Sequence, residues 1–215
     1  MREQRKLTGL RIWVAAALAL AALVFAAPTW AMDHAMPMAA MPVPRALPGL
    51  SIYNLDAEWT TQEGGRARLS SLAGRPVLAA MVYTSCTDVC PLNTERMQDI
   101  ERALPASSRG KIKLVLVSLD WVRDTPQRLK LFAAQHRLDL RRWTLLHSDE
   151  DDVRALAAAL GVSFHRDANG DFQHSIAIFL LDSHGVVVSQ ESDFGRPPAR
   201  MAAQIQRLLA KSPPR

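Results

Sequence analysis

Residues 76–91 read PVLAAMVYTSCTDVCP. Pro76–Thr84 is a continuous apolar run of strand length, which reads as a buried strand. Pro91 suits the first position of a helix, where its missing N–H costs no hydrogen bond. Cys86 and Cys90 are the chain's two cysteines. They therefore fall between a buried strand and a helix start, where open α/β sheets place their sites. A helix N-terminus also lowers thiol pKa, and thiolate is both nucleophile and metal ligand.

Working outward, the same alternation continues. A helix after Pro91 presents Met97, Ile100 and Leu104 on one face and ends before Pro105. Lys111–Leu119 (KIKLVLVSL) is a second strand. Asp124-Thr125-Pro126 starts a second helix, with Asp124 as its cap and Leu129, Phe132, Ala133 and His136 along one side. Trp143–His147 is a third strand. Ser148 caps a third helix whose first turn is acidic, as the helix dipole favours; Val153, Leu156, Ala157 and Leu160 form its apolar stripe and Gly161 stops it. Ile176–Leu181 and Val186–Gln190 form a hairpin. A last helix follows Pro197-Pro198. On the N-terminal side, strands Ser51–Leu55 and Ala67–Leu69 flank Gly64-Gly65 as a further hairpin. The expectation is an α/β domain over residues 49–215, with a mixed central sheet and helices on both faces.

Of 215 residues, 26 are Lys or Arg and 21 are Asp or Glu, a net charge of +5. The charge is unevenly placed. Arg2, Arg5, Lys6 and Arg11 precede an uncharged apolar run, Ile12 to Ala27. Residues 1–31 thus read as a secretory signal cleaved after Ala31, or as an uncleaved anchor, since spanning takes about 20 apolar residues. Either way the basic flank stays in the cytoplasm and the rest lies on the periplasmic or extracytoplasmic side. Without those 31 residues the chain carries 22 basic and 20 acidic side chains. That near-neutral balance, with no basic block, excludes nucleic acid as the expected partner. Residues 32–48 (MDHAMPMAAMPVPRALP) form a proline-rich linker. Met32, Met36, Met38, Met41 and His34 are soft donors suited to copper and are candidate auxiliary ligands. The alternative is a plain tether.

The cysteine spacing leaves several chemistries open. A structural disulfide fits an exported protein, but so short a loop constrains the unfolded chain little. Structural zinc needs four ligands, and there is no second cysteine pair. A peroxidatic thiol lacks a local activating arginine.

Three ordered segments narrow the choice. Tyr83-Thr84-Ser85-Cys86-Thr87-Asp88-Val89-Cys90-Pro91, Val117-Ser118-Leu119-Asp120 with Arg123-Asp124-Thr125-Pro126, and Gln173-His174-Ser175 with the strand to Asp182 resemble the motifs of the SCO/SenC family. These are thioredoxin-fold copper-binding proteins that help assemble cytochrome c oxidase. The resemblance covers about residues 48–210. It implies a thioredoxin-like sheet and copper, as Cu(I), Cu(II) or both, held by Cys86, Cys90 and His174. Asp120 would lie nearby, orienting a hydrogen bond behind a ligand or capping a turn. His136 and His147 are read as packing or surface residues, His165 and His184 as loop residues. The chain departs from the family at Thr87 and Trp121, where prolines are usual, and at Gln173, where an aspartate is usual.

The resemblance implies a metallochaperone that delivers copper to the binuclear copper centre of cytochrome c oxidase. Its partners would be the copper-bearing oxidase subunit and another periplasmic copper chaperone, with the membrane reached through the N-terminal segment if uncleaved. Such a protein binds and hands over and is not an enzyme. The alternative is a thiol–disulfide reductase in which Cys86 and Cys90 are the redox-active pair that keeps the acceptor's cysteines reduced.

Overall fold

The structure, a computed structural model, describes residues 51–86, 89–168 and 171–211, with Val89 and Cys90 described by backbone alone. Residues 1–31, expected as a signal or anchor, residues 32–48, expected as a linker with His34, Met32, Met36, Met38 and Met41, and Thr87 lie outside the described residues.

The elements run β1 (Trp59–Thr61), β2 (Arg66–Ala67), β3 (Val77–Val82), α1 (Val89–Ala103), α2 (Ala106–Arg109), β4 (Lys113–Ser118), α3 (Pro126–Gln135), β5 (Trp143–His147), α4 (Glu150–Leu160), β6 (Phe164–Arg166), β7 (Phe172–His174), β8 (Ile178–Leu181), β9 (Val187–Glu191) and α5 (Pro198–Lys211). Seven strands form one sheet in the order β2-β1-β5-β4-β3-β8-β9, and β6 pairs with β7 separately. The β3–β4 and β4–β5 pairs are parallel. The β1–β5 and β3–β8 pairs are antiparallel. This is the expected mixed sheet flanked by helices.

Its centre is where the sequence is most apolar. All six residues of β3 are buried, as are five of six in β4. A strand covered on both faces needs such an uninterrupted run. Met97, Ile100 and Leu104 are sealed beneath the sheet's helical cover, and α4 buries Val153, Leu156, Ala157 and Leu160 as its period requires. Gly161 ends α4 at φ 71°, a left-handed C-cap that favours glycine.

Four local expectations are corrected. Ser51–Leu55 is not a strand. The Ser51 hydroxyl accepts from Tyr53 N at 3.0 Å and starts a 3₁₀ turn over Ile52–Asn54. The N-terminal hairpin exists, but its strands are Trp59–Thr61 and Arg66–Ala67, anchored by the fully buried Trp59. Helix α1 begins at Val89, so Pro91 is its third residue; the first four N–H groups of a helix have no intrahelical acceptor, and proline is still accommodated. Ser148 does not cap α4: Asp149 does, accepting from Asp152 N at 3.0 Å, while Ser148 donates to Glu58 O and Asp152.

Candidate metal centre

The parallel strands end together. Leu119 N donates to Val82 O at 2.7 Å, so the chain leaves β3 and β4 side by side. After β3, Cys86 N donates to Tyr83 O at 3.2 Å and closes a turn that leaves Cys86 half-buried. Cys90 follows in the first turn of α1.

The cysteine turn is held from below by Asp124. This carboxylate is 2% exposed and accepts from Thr84 N at 3.0 Å, from the Thr84 hydroxyl, and from the Ser118 hydroxyl. It therefore ties the end of β4 to the cysteine loop. The capping role expected of Asp124 belongs to Thr125, whose side chain accepts from Arg128 N. The Asp124 charge also acts on His147 at the end of β5, where it opposes the downward pull of burial on that imidazole's pKa. His136 stacks on Phe132 at 4.2 Å between ring centroids, a packing role.

His174 is carried by the β6–β7 hairpin, in which Phe164 pairs with His174 and Arg166 with Phe172. Aromatic packing fixes the hairpin over the cysteine loop. The Tyr83 ring lies 5.4 Å from that of Phe172 and 6.0 Å, edge-on, from that of His174. Its hydroxyl donates to Phe172 O at 3.2 Å. Trp121 stands edge-on to Phe164 and Phe172, with ring centroids 6.2 and 5.4 Å away. The Arg154 guanidinium covers Trp121 and Phe164 at 5.5 and 5.3 Å. The tryptophan that stands where the family has proline is thus the residue on which the hairpin rests.

A charged strut runs alongside. Asp120, fully buried, accepts from Val122 N and Arg123 N at 3.3 and 3.0 Å, and also binds the Arg123 side chain. Arg123 reaches on to Asp171, 3.3 Å away, just before β7. Asp120 is therefore a turn cap and the inner end of an ion-paired link to the hairpin. The Asp120 hydrogen bond is the main cause holding the Arg123 pKa above its ordinary value.

The His174 ring is oriented for ligation. Its Nδ1 lies 3.1 Å from Ser175 O. Donation there puts the proton on Nδ1 and the lone pair on Nε2, the form that binds metal. Burial pushes the His174 pKa down, opposed by the Ser175 bond and by the charge of Cys86. The neutral imidazole is thereby favoured, and Cys86 lies within electrostatic reach of it. Among the described residues no group of three or more His, Cys, Asp or Glu forms a ready metal cage. A half-buried thiol and a neutral imidazole are nonetheless a soft donor pair of the kind copper selects.

Gln173 is exposed on β7 and pairs across to His165 on β6. His165 is thus on a strand and not in a loop. The sequence reading missed Trp121, Arg123, Asp124 and Asp171 as supports of the site. Trp121, Arg123 and Asp124 lie in the same motif as Asp120, which was the signal for them; Asp171 had none.

The family model for SCO1/SenC proteins matches residues 53–210. The chain belongs to the SCO1/SenC family. Its relatives include the SCO1 protein homolog of Bacillus subtilis, 26% identical over 140 residues, which span 64% of this chain and 72% of that one. Among solved structures it is similar to Bradyrhizobium japonicum ScoI with copper bound, at 26% identity and a TM-score of 0.61, covering 71% of this chain and 96% of that one. The SCO1/SenC family lipoprotein of Bacillus anthracis shares the fold, at 23% identity and a TM-score of 0.66, over 74% of this chain and 96% of that one. Sco-family membership and the thioredoxin-like fold are thereby established.

Proposed function

We propose that this chain is a copper metallochaperone of the extracytoplasmic face. It takes up copper through Cys86, Cys90 and His174 and delivers it to the binuclear copper centre of cytochrome c oxidase. One observation carries the reading: Tyr83 joins the two parts of the site, its carbonyl accepting from Cys86 N and its ring meeting the His174 ring edge-on at 6.0 Å, with His174 in its Nε2 lone-pair form, in a chain of the SCO1/SenC family. Two thiolates and an imidazole form a site that suits Cu(I) and Cu(II). Because the neutral form of His174 is favoured, copper need not displace a proton there.

Release would follow the same chemistry in reverse. Each thiolate or imidazole is exchanged in turn for one of the acceptor, so copper is never free in solution. Cys86 lies in a turn and His174 on a separate hairpin, so one ligand can leave while the others hold.

The test is transfer. Copper-loaded full-length chain is mixed with the apo copper-bearing domain of an oxidase subunit, and the absorption of the binuclear centre is followed. The proposal predicts formation of the centre with matching loss of copper from the donor. An acceptor that gains no copper, or gains it as fast and as fully from the His174→Ala protein as from the parent, contradicts it.

A further inference from the structure

The far end of the domain carries a cleft of about 470 Å³ that the copper reading does not use. It opens where β4 and β5 begin, whereas the cysteine loop lies where they end. Arg68, Arg75, Lys113, Arg141 and Arg142 line it, and among the described residues no carboxylate does. Three of these cations are neutralised from outside the cleft: Arg68 by Asp56 at 2.9 Å, Arg141 by Asp139 at 2.9 Å and Arg142 by Glu101 at 2.5 Å.

Arg75 and Lys113 differ. Arg75 donates to Gly110 O at 3.4 Å and Lys113 to Ser71 O at 2.8 Å, both neutral carbonyls. Lys113 is half-buried, and burial together with the neighbouring Arg75 charge pushes its pKa down. The fold thus brings two cations together with no counter-charge among the described residues, an arrangement that costs free energy wherever solvent is partly excluded. Nothing in the core requires it: Lys113 is the first residue of β4 and the only one of that strand not buried. A guanidinium fork beside an ammonium, with Ser71 and Thr144 also lining the cleft, matches a tetrahedral oxyanion.

We propose that this cleft binds a phosphate group, held between Arg75 and Lys113. Two sources share that chemistry, an anionic phospholipid headgroup and free phosphate. The headgroup has one structural argument. Ser51, where the described domain begins, bridges Val186, and Gly74 N binds Ser183 O at 2.8 Å. The chain therefore enters the domain at the end that carries Arg75.

The experiment uses the full-length chain in phosphate-free buffer. Inorganic phosphate and glycerophosphoglycerol, the soluble headgroup of phosphatidylglycerol, are titrated separately by calorimetry. Saturable one-to-one binding is expected, weakened at least tenfold by Arg75→Gln and by Lys113→Met. Lys130→Met, which breaks a surface pair with Glu63 outside the cleft, is expected to leave it unchanged. The Lys113→Met protein should melt no lower than the parent in this buffer, because it loses a repelled charge. Tighter binding of the headgroup assigns the lipid source, and tighter binding of inorganic phosphate assigns the free ion. The absence of saturable binding of either probe overturns the proposal, as does parental affinity in the Arg75→Gln/Lys113→Met double variant. Copper binding plays no part in these readouts, so the two proposals fail separately.

Discussion

Replacing Asp124 by alanine separates two roles for one carboxylate. A helix cap is worth about 1 kcal/mol. The structure gives that role to Thr125 and makes Asp124 the acceptor for Thr84 N–H, the Thr84 hydroxyl and the Ser118 hydroxyl. Bonds to a charged group are each worth roughly 1.5–3 kcal/mol, and a stranded buried donor costs about 1–3. Part of this is offset, because alanine also removes the cost of burying the carboxylate and the hydroxyls can turn elsewhere. The expected loss is about 3 kcal/mol, with the Thr84 N–H the donor least able to find a new partner. In a domain of this size each kcal/mol moves Tm by roughly 2–4 °C, so Asp124→Ala should melt about 6–12 °C lower. Thr125→Ala, the internal standard, should cost about 1 kcal/mol. Urea unfolding of the two variants and the parent, with m-values compared, gives both numbers. Asp124→Ala that costs no more than Thr125→Ala refutes the reasoning.

Trp121→Ala removes the surface on which the β6–β7 hairpin rests; amide exchange over residues 164–166 and 172–174 should accelerate and copper affinity should fall about tenfold, with Trp121→Phe largely restoring both. Arg96 and Glu191 form a buried pair at 2.6 Å, so Glu191→Met alone should destabilise by about 3–5 kcal/mol, and an Arg96→Met/Glu191→Met protein should recover most of it in denaturant unfolding. Burial lowers the pKa of His136, His147 and His174. The unfolded chain then binds more protons than the folded one once the pH drops below about 6.5, so this contribution to stability is present above that pH and lost as the pH falls. Urea midpoints at pH 7.5 and 5.5 check the sign, and a higher midpoint at 5.5 contradicts it.

The central sheet was legible because β3 and β4 are buried on both faces and their sequences carry almost nothing else. Cys86 and Cys90 stand out in the sequence by their place between a buried strand and a helix start, whereas His174 joins them only through the ordered motifs, since it is distant from the cysteines in sequence and its spacing carries no metal signature. The β6–β7 hairpin was not legible. Its strands are three residues each, and what holds them is Trp121, Arg123 and Tyr83 from elsewhere in the chain. Ser51–Leu55 misled for a similar reason: its alternation suits a strand, but a side-chain hydroxyl bond turned the backbone first. Asp124 was misassigned because a carboxylate before Thr-Pro looks like a cap, and its true partners lie in the loop after β3 and at the end of β4.

The most direct measurement is X-ray absorption at the copper edge on the full-length chain loaded with one equivalent of Cu(I), beside its His174→Ala and Cys86→Ser variants. The account predicts two sulfur donors and one imidazole nitrogen in the parent, loss of the nitrogen in His174→Ala and of one sulfur in Cys86→Ser. A parent spectrum without imidazole, or a His174→Ala protein with an unchanged first shell and unchanged affinity, would contradict it.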